Sequence, residues 1–183
     1  WWPVTATVVS AQSATAVPPQ AAAPVQTPSY VPARVFATGP STLADFEGML
    51  LDLARADVVF VGEQHDDPNT HRLELAVLEG LARRRGDIVL SLEMFERDVQ
   101  GSLDRFAAGQ QAEADFLAAA RPWPRYATDY KPLVDLAITK KWPIVAANVP
   151  RPTASEVSKS GLAVLGGKSP EARAWFAADL QCP

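Results

Sequence analysis

Three short apolar runs rich in β-branched residues, each followed at once by polar and charged side chains, constrain this chain most. They are Asp57–Val61, Ile88–Leu92 and Pro143–Ala147. Each has the length of a buried strand rather than of a helix. The segments between them carry helical periodicity. Thr42–Arg55 repeats Leu43, Phe46, Leu50 and Leu53 at helical spacing behind a capping Ser41 or Thr42. Asn69–Arg85 is the clearest helix, with Leu75, Leu78 and Ala82 in one row and Leu73, Val77 and Leu81 beside it. Arg83, Arg84 and Arg85 fall in its last turn, where cations suit the helix dipole, and Gly86 ends it. Further helical segments cover Asp98–Ala107 and Ala112–Ala120, while two prolines make Arg121–Tyr126 a loop. Lys131–Lys141 is a helix with Pro132 tolerated in its first turn. Thr153–Ser160 and Ser169–Leu180 are helices separated by Gly161, Gly166 and Gly167. Strands alternating with helices predict an α/β fold: a mostly parallel sheet with right-handed crossovers and helices packed around it.

Composition narrows the function classes. The 183 residues hold 17 basic against 21 acidic side chains, a net charge of −4, which lacks the basic footprint of a nucleic-acid binder. A single cysteine, Cys182, excludes an internal disulfide framework and a Cys-rich zinc module. No apolar run approaches the roughly 20 residues that cross a bilayer. Residues 1–41 stand apart, with Arg34 as their one charge and prolines at Pro3, Pro18, Pro19, Pro24, Pro28, Pro32 and Pro40. Such a segment cannot bury enough apolar surface to offset its chain entropy. Residues 18–41 read as a flexible, partly extended linker. Val4–Ala16, with Ser-Ala-Gln-Ser-Ala as a small-residue cleavage region, reads as the end of a signal peptide. The protein would then be exported, and periplasmic or membrane-anchored; the alternative is a low-complexity tail. The expected organisation is a signal remnant and Pro/Ala-rich linker over 1–41, then the N-terminal portion of a larger domain over 42–183.

In open parallel sheets, ligands bind beyond the carboxyl ends of the strands. The first run delivers Gly62-Glu63-Gln64-His65, with His71 a little further on; the second delivers Glu93, Glu96 and Arg97; the third delivers Asn148 and Arg151. These groups can form a site, or a buried Glu–Arg lattice that only ties loops together. His65, His71 and Glu63 or Glu93 offer nitrogen and oxygen ligands for a divalent ion. The two histidines are not four residues apart, so they do not share a helix face, and His71, inside the helix, is expected to face solvent. A hydrolase without metal would use His65 as general base and Glu93 to orient it. Beyond these lies an aromatic loop, Trp123, Tyr126, Tyr130 and Trp142, flanked by Arg121 and Arg125. Tryptophan faces stack on flat apolar ligands and arginines pair with carboxylates. A tyrosine phenolate suits ferric haem iron. Plain core packing is the other reading of the same cluster.

The runs Val-Phe-Val-Gly-Glu-Gln-His-Asp-Asp (59–67), Ser-Leu-Glu-Met-Phe-Glu-Arg (91–97), Tyr-Lys-Pro-Leu-Val (130–134) and Ile-Val-Ala-Ala-Asn-Val-Pro-Arg (144–151) stand in one order and spacing. Together they resemble the ChaN family of the Tiki/TraB/erythromycin-esterase superfamily, over about residues 42–183. The resemblance implies a haem-binding protein of bacterial iron uptake, often a lipoprotein, with two haems stacked face to face across a homodimer. It implies a binding protein rather than an enzyme. On this chain it points to Tyr130, in the matching Tyr-x-Pro-Leu motif, as the iron ligand, with Tyr126 as runner-up. His65 becomes a second ligand or hydrogen-bond partner, with Arg121 and Arg125 at the haem propionates and Trp123 as a stacking wall. Glu63, Glu93, Glu96 and Arg97 match the superfamily's acidic and basic constellation, supported by Asn148 and Arg151. In the Tiki branch a similar constellation looks like a metalloprotease site. The alternative function is therefore a metal-dependent hydrolase in which Glu63, His65 and Glu93 hold a divalent ion that lowers the pKa of bound water. No lipobox cysteine stands near the start of this sequence, so a membrane anchor would belong to a segment preceding Trp1. The family's usual domain also continues past Pro183.

Overall fold

A computed structural model describes residues 34–177. The signal-peptide reading of Val4–Ala16, the linker up to residue 33 and Cys182 lie outside the described residues. The first element is a hairpin in which Val35–Ala37 (β1) pairs antiparallel with Thr42–Ala44 (β2), Val35 opposite Ala44 and Ala37 opposite Thr42. Between them Gly39, Pro40 and Ser41 turn the chain, Ser41 in the left-handed region at φ 55°. The expected start of the first helix is thus corrected. Neither Ser41 nor Thr42 caps it. Phe46–Leu53 (α1) begins behind Asp45, whose carboxylate accepts the Gly48 N–H at 2.7 Å.

Pro68–Ala82 (α2) opens with Asp67 as N-cap, accepting from the Asn69 N–H at 2.9 Å, and with proline in its first turn. The arginine triplet lies just past its end. Arg83 and Arg84 both pair with Glu47 of α1, and Arg85 forms a two-pronged pair with Asp87. Gly80 lets the two helices approach: a Cβ there would sit 2.3 Å from Leu50 Cδ1.

The described sheet has two parallel strands, Leu90–Glu96 (β3) and Ile144–Asn148 (β4). They pair Leu90 with Ile144, Ser91 with Val145 and Leu92 with Ala146, then shift register before Glu96 meets Asn148. The crossover between them holds a 3-10 turn at Arg97–Val99, then Gln100–Ala107 (α3), Glu113–Ala120 (α4), Tyr126–Asp129 (α5) and Lys131–Lys140 (α6). This is the expected α/β arrangement of helices around a parallel pair. Phe95, Phe116, Leu103, Met94 and Val134, all nearly inaccessible, form the centre of the core between strand and helices. Phe106 stacks on Phe116 at 4.5 Å and Phe95 meets Phe116 edge-on at 5.4 Å. Trp142 donates its indole N–H to the Gly86 carbonyl at 3.0 Å, joining the segments that lead into the two strands.

Two strand expectations change. β3 continues through Glu96, so Glu93 and Glu96 lie within the strand rather than past its end. Asp57–Val61 is not a strand of the described sheet, and it pairs with no strand among the described residues. Val58 and Phe60 are 67% and 94% exposed. β-propensity measures fit to a pleated surface beside a partner, and among the described residues no strand pairs with this run. At β4, Gln100 substitutes for a neighbouring strand: its side-chain N–H donates to Ile144 O at 2.8 Å and its Oε1 accepts from Ala146 N–H at 2.7 Å.

After β4 come Arg151–Ser160 (α7), a 3-10 segment at Leu162–Gly167 and Pro170–Arg173 (α8). The last helix starts where expected, on Ser169 as N-cap, but stops at Arg173.

Candidate functional site

The chain leaves the extended run at Gly62 and turns into α2 through Asp66 and Asp67, so Glu63 and His65 stand against the first turn of that helix. Tyr130 is the hinge between α5 and α6, closing one and opening the other. α2 packs on both of these helices, which presses His71 and Glu74 of α2 against Tyr130. The Tyr130 hydroxyl donates to Glu63 Oε1 at 3.1 Å. The same Oε1 lies 3.5 Å from His65 Nε2, and Glu63 Oε2 lies 3.4 Å from His71 Nδ1.

His71 does not face solvent, contrary to expectation; it is 3% exposed. Its Nδ1 lies 3.0 Å from Glu74 Oε2, and its Nε2 lies 3.1 Å from the His65 carbonyl and 3.5 Å from Asp129 Oδ2. Its ring meets Tyr130 edge-on at 4.9 Å. Burial works against a charged His71, but the His65 carbonyl and the Glu74 and Asp129 carboxylates outweigh it and raise its pKa. Burial also raises Glu74, reinforced by the Glu63 charge and only partly offset by His71. Tyr130 is pushed above the usual phenol range, by burial first and then by the Glu63 carboxylate.

Beside this cluster lies a cavity of about 770 Å³, between the extended run and β3. Its apolar wall includes Phe60, Leu78, Val89, Leu92 and Leu133. Glu63, His65, Glu93 and Tyr130, drawn from three separate stretches of sequence, all line it. Trp123 lies against the His65 ring at 4.7 Å with the two planes tilted by 34°, and meets Tyr130 edge-on at 6.1 Å. An iron macrocycle fits this donor set: oxygen and imidazole groups open onto an apolar wall of sufficient extent.

Other expected residues lie elsewhere. Tyr126 belongs to the core, 6.1 Å from the Phe95 ring, with its hydroxyl buried and unpartnered. Neither Arg121 nor Arg125 lines the cavity. Arg121 pairs with Glu96 and Asp98 at 3.0 and 2.9 Å, and Arg125 pairs with Asp129 at 2.8 Å and donates to the Asp66 carbonyl at 2.7 Å. Both adopt left-handed backbone, φ 49° and 68°, at the two ends of the Pro-Trp-Pro turn. The arginine on the cavity wall among the described residues is Arg85, already paired with Asp87. Arg121, Trp123, Arg151 and Glu96 border a second cavity of about 710 Å³. Asn148 stands opposite Glu96 in the sheet, and Arg97 is half-buried in the 3-10 turn.

The metal set Glu63, His65 and Glu93 does not close to ligating distance among the described residues. Glu63 instead groups with His71 and Glu74. Sequence reasoning missed Glu74 and Asp129. The available signal was that His71, Glu74 and Leu78 form one row of α2, and Leu78 was already assigned to the core.

A family model for haem-binding uptake proteins, Tiki superfamily, ChaN, matches residues 49–182. A solved structure of ChaN of Campylobacter jejuni, described as binding haem cofacially, is 23% identical. It aligns with a TM-score of 0.54 over 75% of this chain and 54% of that one. The likeness bears on the fold, and the chain spans about half the length of that relative. No protein of curated function matches. The match to the family model over most of the chain places this chain in the ChaN haem-binding uptake family of the Tiki superfamily.

Proposed function

We propose that this chain binds haem in the cavity between the extended run and β3, as part of an exported haem-uptake protein. The observation that carries the reading is the meeting of the Tyr130 hydroxyl, the His65 ring and an apolar wall on one cavity, with Trp123 against His65. Bound haem would supply an iron that accepts an anionic oxygen ligand. Tyr130 would provide that oxygen. Its hydroxyl proton has an acceptor in place, Glu63 Oε1 at 3.1 Å. Burial and the neighbouring carboxylate hold Tyr130 neutral, so the phenolate forms only where a cation offsets that cost. His65 would serve as second ligand or hydrogen-bond partner, and Phe60, Val89, Leu92 and Leu133 would offer apolar surface to the macrocycle. Arg121 and Arg125, whose guanidinium groups are held by other partners and which do not line this cavity, would not serve the haem propionates here. A second copy presenting its own haem would match the cofacial arrangement of the C. jejuni protein.

Haem titration of the 183-residue chain tests this. A tyrosinate-type absorption spectrum is expected, lost in Tyr130→Phe and weakened in His65→Ala. An unchanged spectrum in Tyr130→Phe overturns the ligand assignment. Absence of saturable haem uptake by the folded chain overturns the reading as a whole.

A further inference from the structure

We propose that Asp57–Val61 is a strap that closes onto the free edge of β3 as a third parallel strand, and that the cavity of about 770 Å³ is open only while the strap stands off. The closure rests on the backbone alone; its consequence for ligand entry rests on the haem reading above.

Backbone polar groups must find partners in the protein or in water. No backbone N–H or carbonyl of residues 57–63 enters a hydrogen bond among the described residues. β3 carries a matching row. Its Leu90 N–H donates to the Pro143 carbonyl at 3.0 Å, and Leu90 and Leu92 stand opposite Ile144 and Ala146. Alternate residues of a strand address opposite neighbours, so the backbone groups of Ser91 and Glu93 point away from β4. No strand pairs with that edge among the described residues.

The two rows flank one space. Residues 56–63 and residues 87–94 line the cavity in unbroken stretches of equal length. Both ends of the strap are tied beside the matching end of β3. At its start Arg85 donates to the Ala54 carbonyl at 3.1 Å while it holds Asp87. At its end Glu63 accepts from the Tyr130 hydroxyl at 3.1 Å, and Glu63 shares the cavity wall with Glu93. The strap therefore runs in the direction of β3, and closing requires neither stretching nor slack. Gly62 leaves its end room to pivot, since a Cβ there would meet nothing within 4 Å beyond its chain neighbours.

The side chains favour closure. Val58 and Phe60 are 67% and 94% exposed, and Val89, which leads into β3, is 58% exposed. β-branched and aromatic residues gain from a pleated surface beside a partner, and apolar area gains from leaving water. A strand in the slit occupies the space of the cavity, so closure and a bound macrocycle exclude each other.

Hydrogen exchange on the haem-free 183-residue chain tests the closure. Amides of alternate residues within 57–63 should exchange at least about tenfold more slowly than in an unfolded chain. Exchange at the unfolded rate throughout would overturn the strap. Val59→Pro and Phe60→Pro remove neighbouring N–H groups, one of which faces β3 in the closed form. That variant should lose the protection and bind the apolar dye anilinonaphthalene sulfonate several-fold more strongly than the parent chain. The other proline should change neither. Equal dye binding by the parent and both variants would show the cavity equally open in all three and would also overturn the proposal. The variant that cannot close should take up haem at least about threefold more tightly, because no share of it is held shut. Unchanged haem affinity would overturn the gating. Haem uptake by none of the three chains would overturn the haem reading alone, with exchange and dye binding still deciding the closure.

Discussion

Gly80→Ala sets two known effects against each other at one contact. Gly80 lies inside α2, where alanine is favoured over glycine by about 1 kcal/mol. The added methyl would lie 2.3, 2.7 and 3.1 Å from Leu50 Cδ1, Cδ2 and Cγ. Leu50 is wholly buried and packs with Phe46, Ala76 and Val77, so its side chain has no open space to turn into. Overpacking of a closed core costs about 1–3 kcal/mol, and contact with three carbons at once points to the upper end. Subtracting the propensity gain leaves a net loss of about 2 kcal/mol. Urea unfolding reads this as a lower midpoint at unchanged slope. The double variant gives the sharper result. Leu50→Ala alone should lose about 2–5 kcal/mol. In that background Gly80→Ala should become favourable, because the clash is gone and the propensity gain remains. A midpoint that rises on Gly80→Ala in the unmutated chain would refute the close approach of α1 and α2.

Other consequences follow from the same geometry. Gln100→Ala should cost about 1–3 kcal/mol in urea unfolding, since Ile144 O and Ala146 N–H of β4 both lose their partner; a neutral result would show that β4 does not rely on this side chain. Tyr126→Phe should be neutral or stabilising by about 1 kcal/mol, because the hydroxyl it removes is buried without a partner. In the parent chain that phenol, pushed up to about 12 by burial, should stay neutral in spectrophotometric titration until well above the ordinary tyrosine value. His71 and Glu74 both have folded pKa values above their ordinary 6.5 and 4.5. The stability each contributes is present below that ordinary value and lost as pH rises through the folded value. Melting temperature should therefore fall as pH rises through this interval, and His71→Gln should flatten the profile; a midpoint that climbs over the same interval would contradict the buried cluster.

The alternation of apolar β-branched runs with helical periodicity is a local property, so the sequence by itself determined the fold class, the order of α2, β3, α6 and β4, and the family. Glu63, His65, Glu93 and Tyr130 do line one cavity as the motifs suggested, although Glu93 lies inside β3 and the run before Glu63 pairs with no described strand. Partnership is a different kind of fact. Asp57–Val61 has every intrinsic mark of a strand, yet pairing needs a second chain segment at its edge, which no local pattern specifies. His71 looked solvent-facing because a helix row is read from its own residues, whereas α5 and α6 come from some sixty residues later and close over it. Arg121 and Arg125 looked free for a ligand until Glu96, Asp98 and Asp129 were brought against them. A charge's availability depends on what else the chain folds beside it. That long-range choice, made by packing over distances the sequence pattern does not encode, decided which polar groups face the cavity and which hold the fold together.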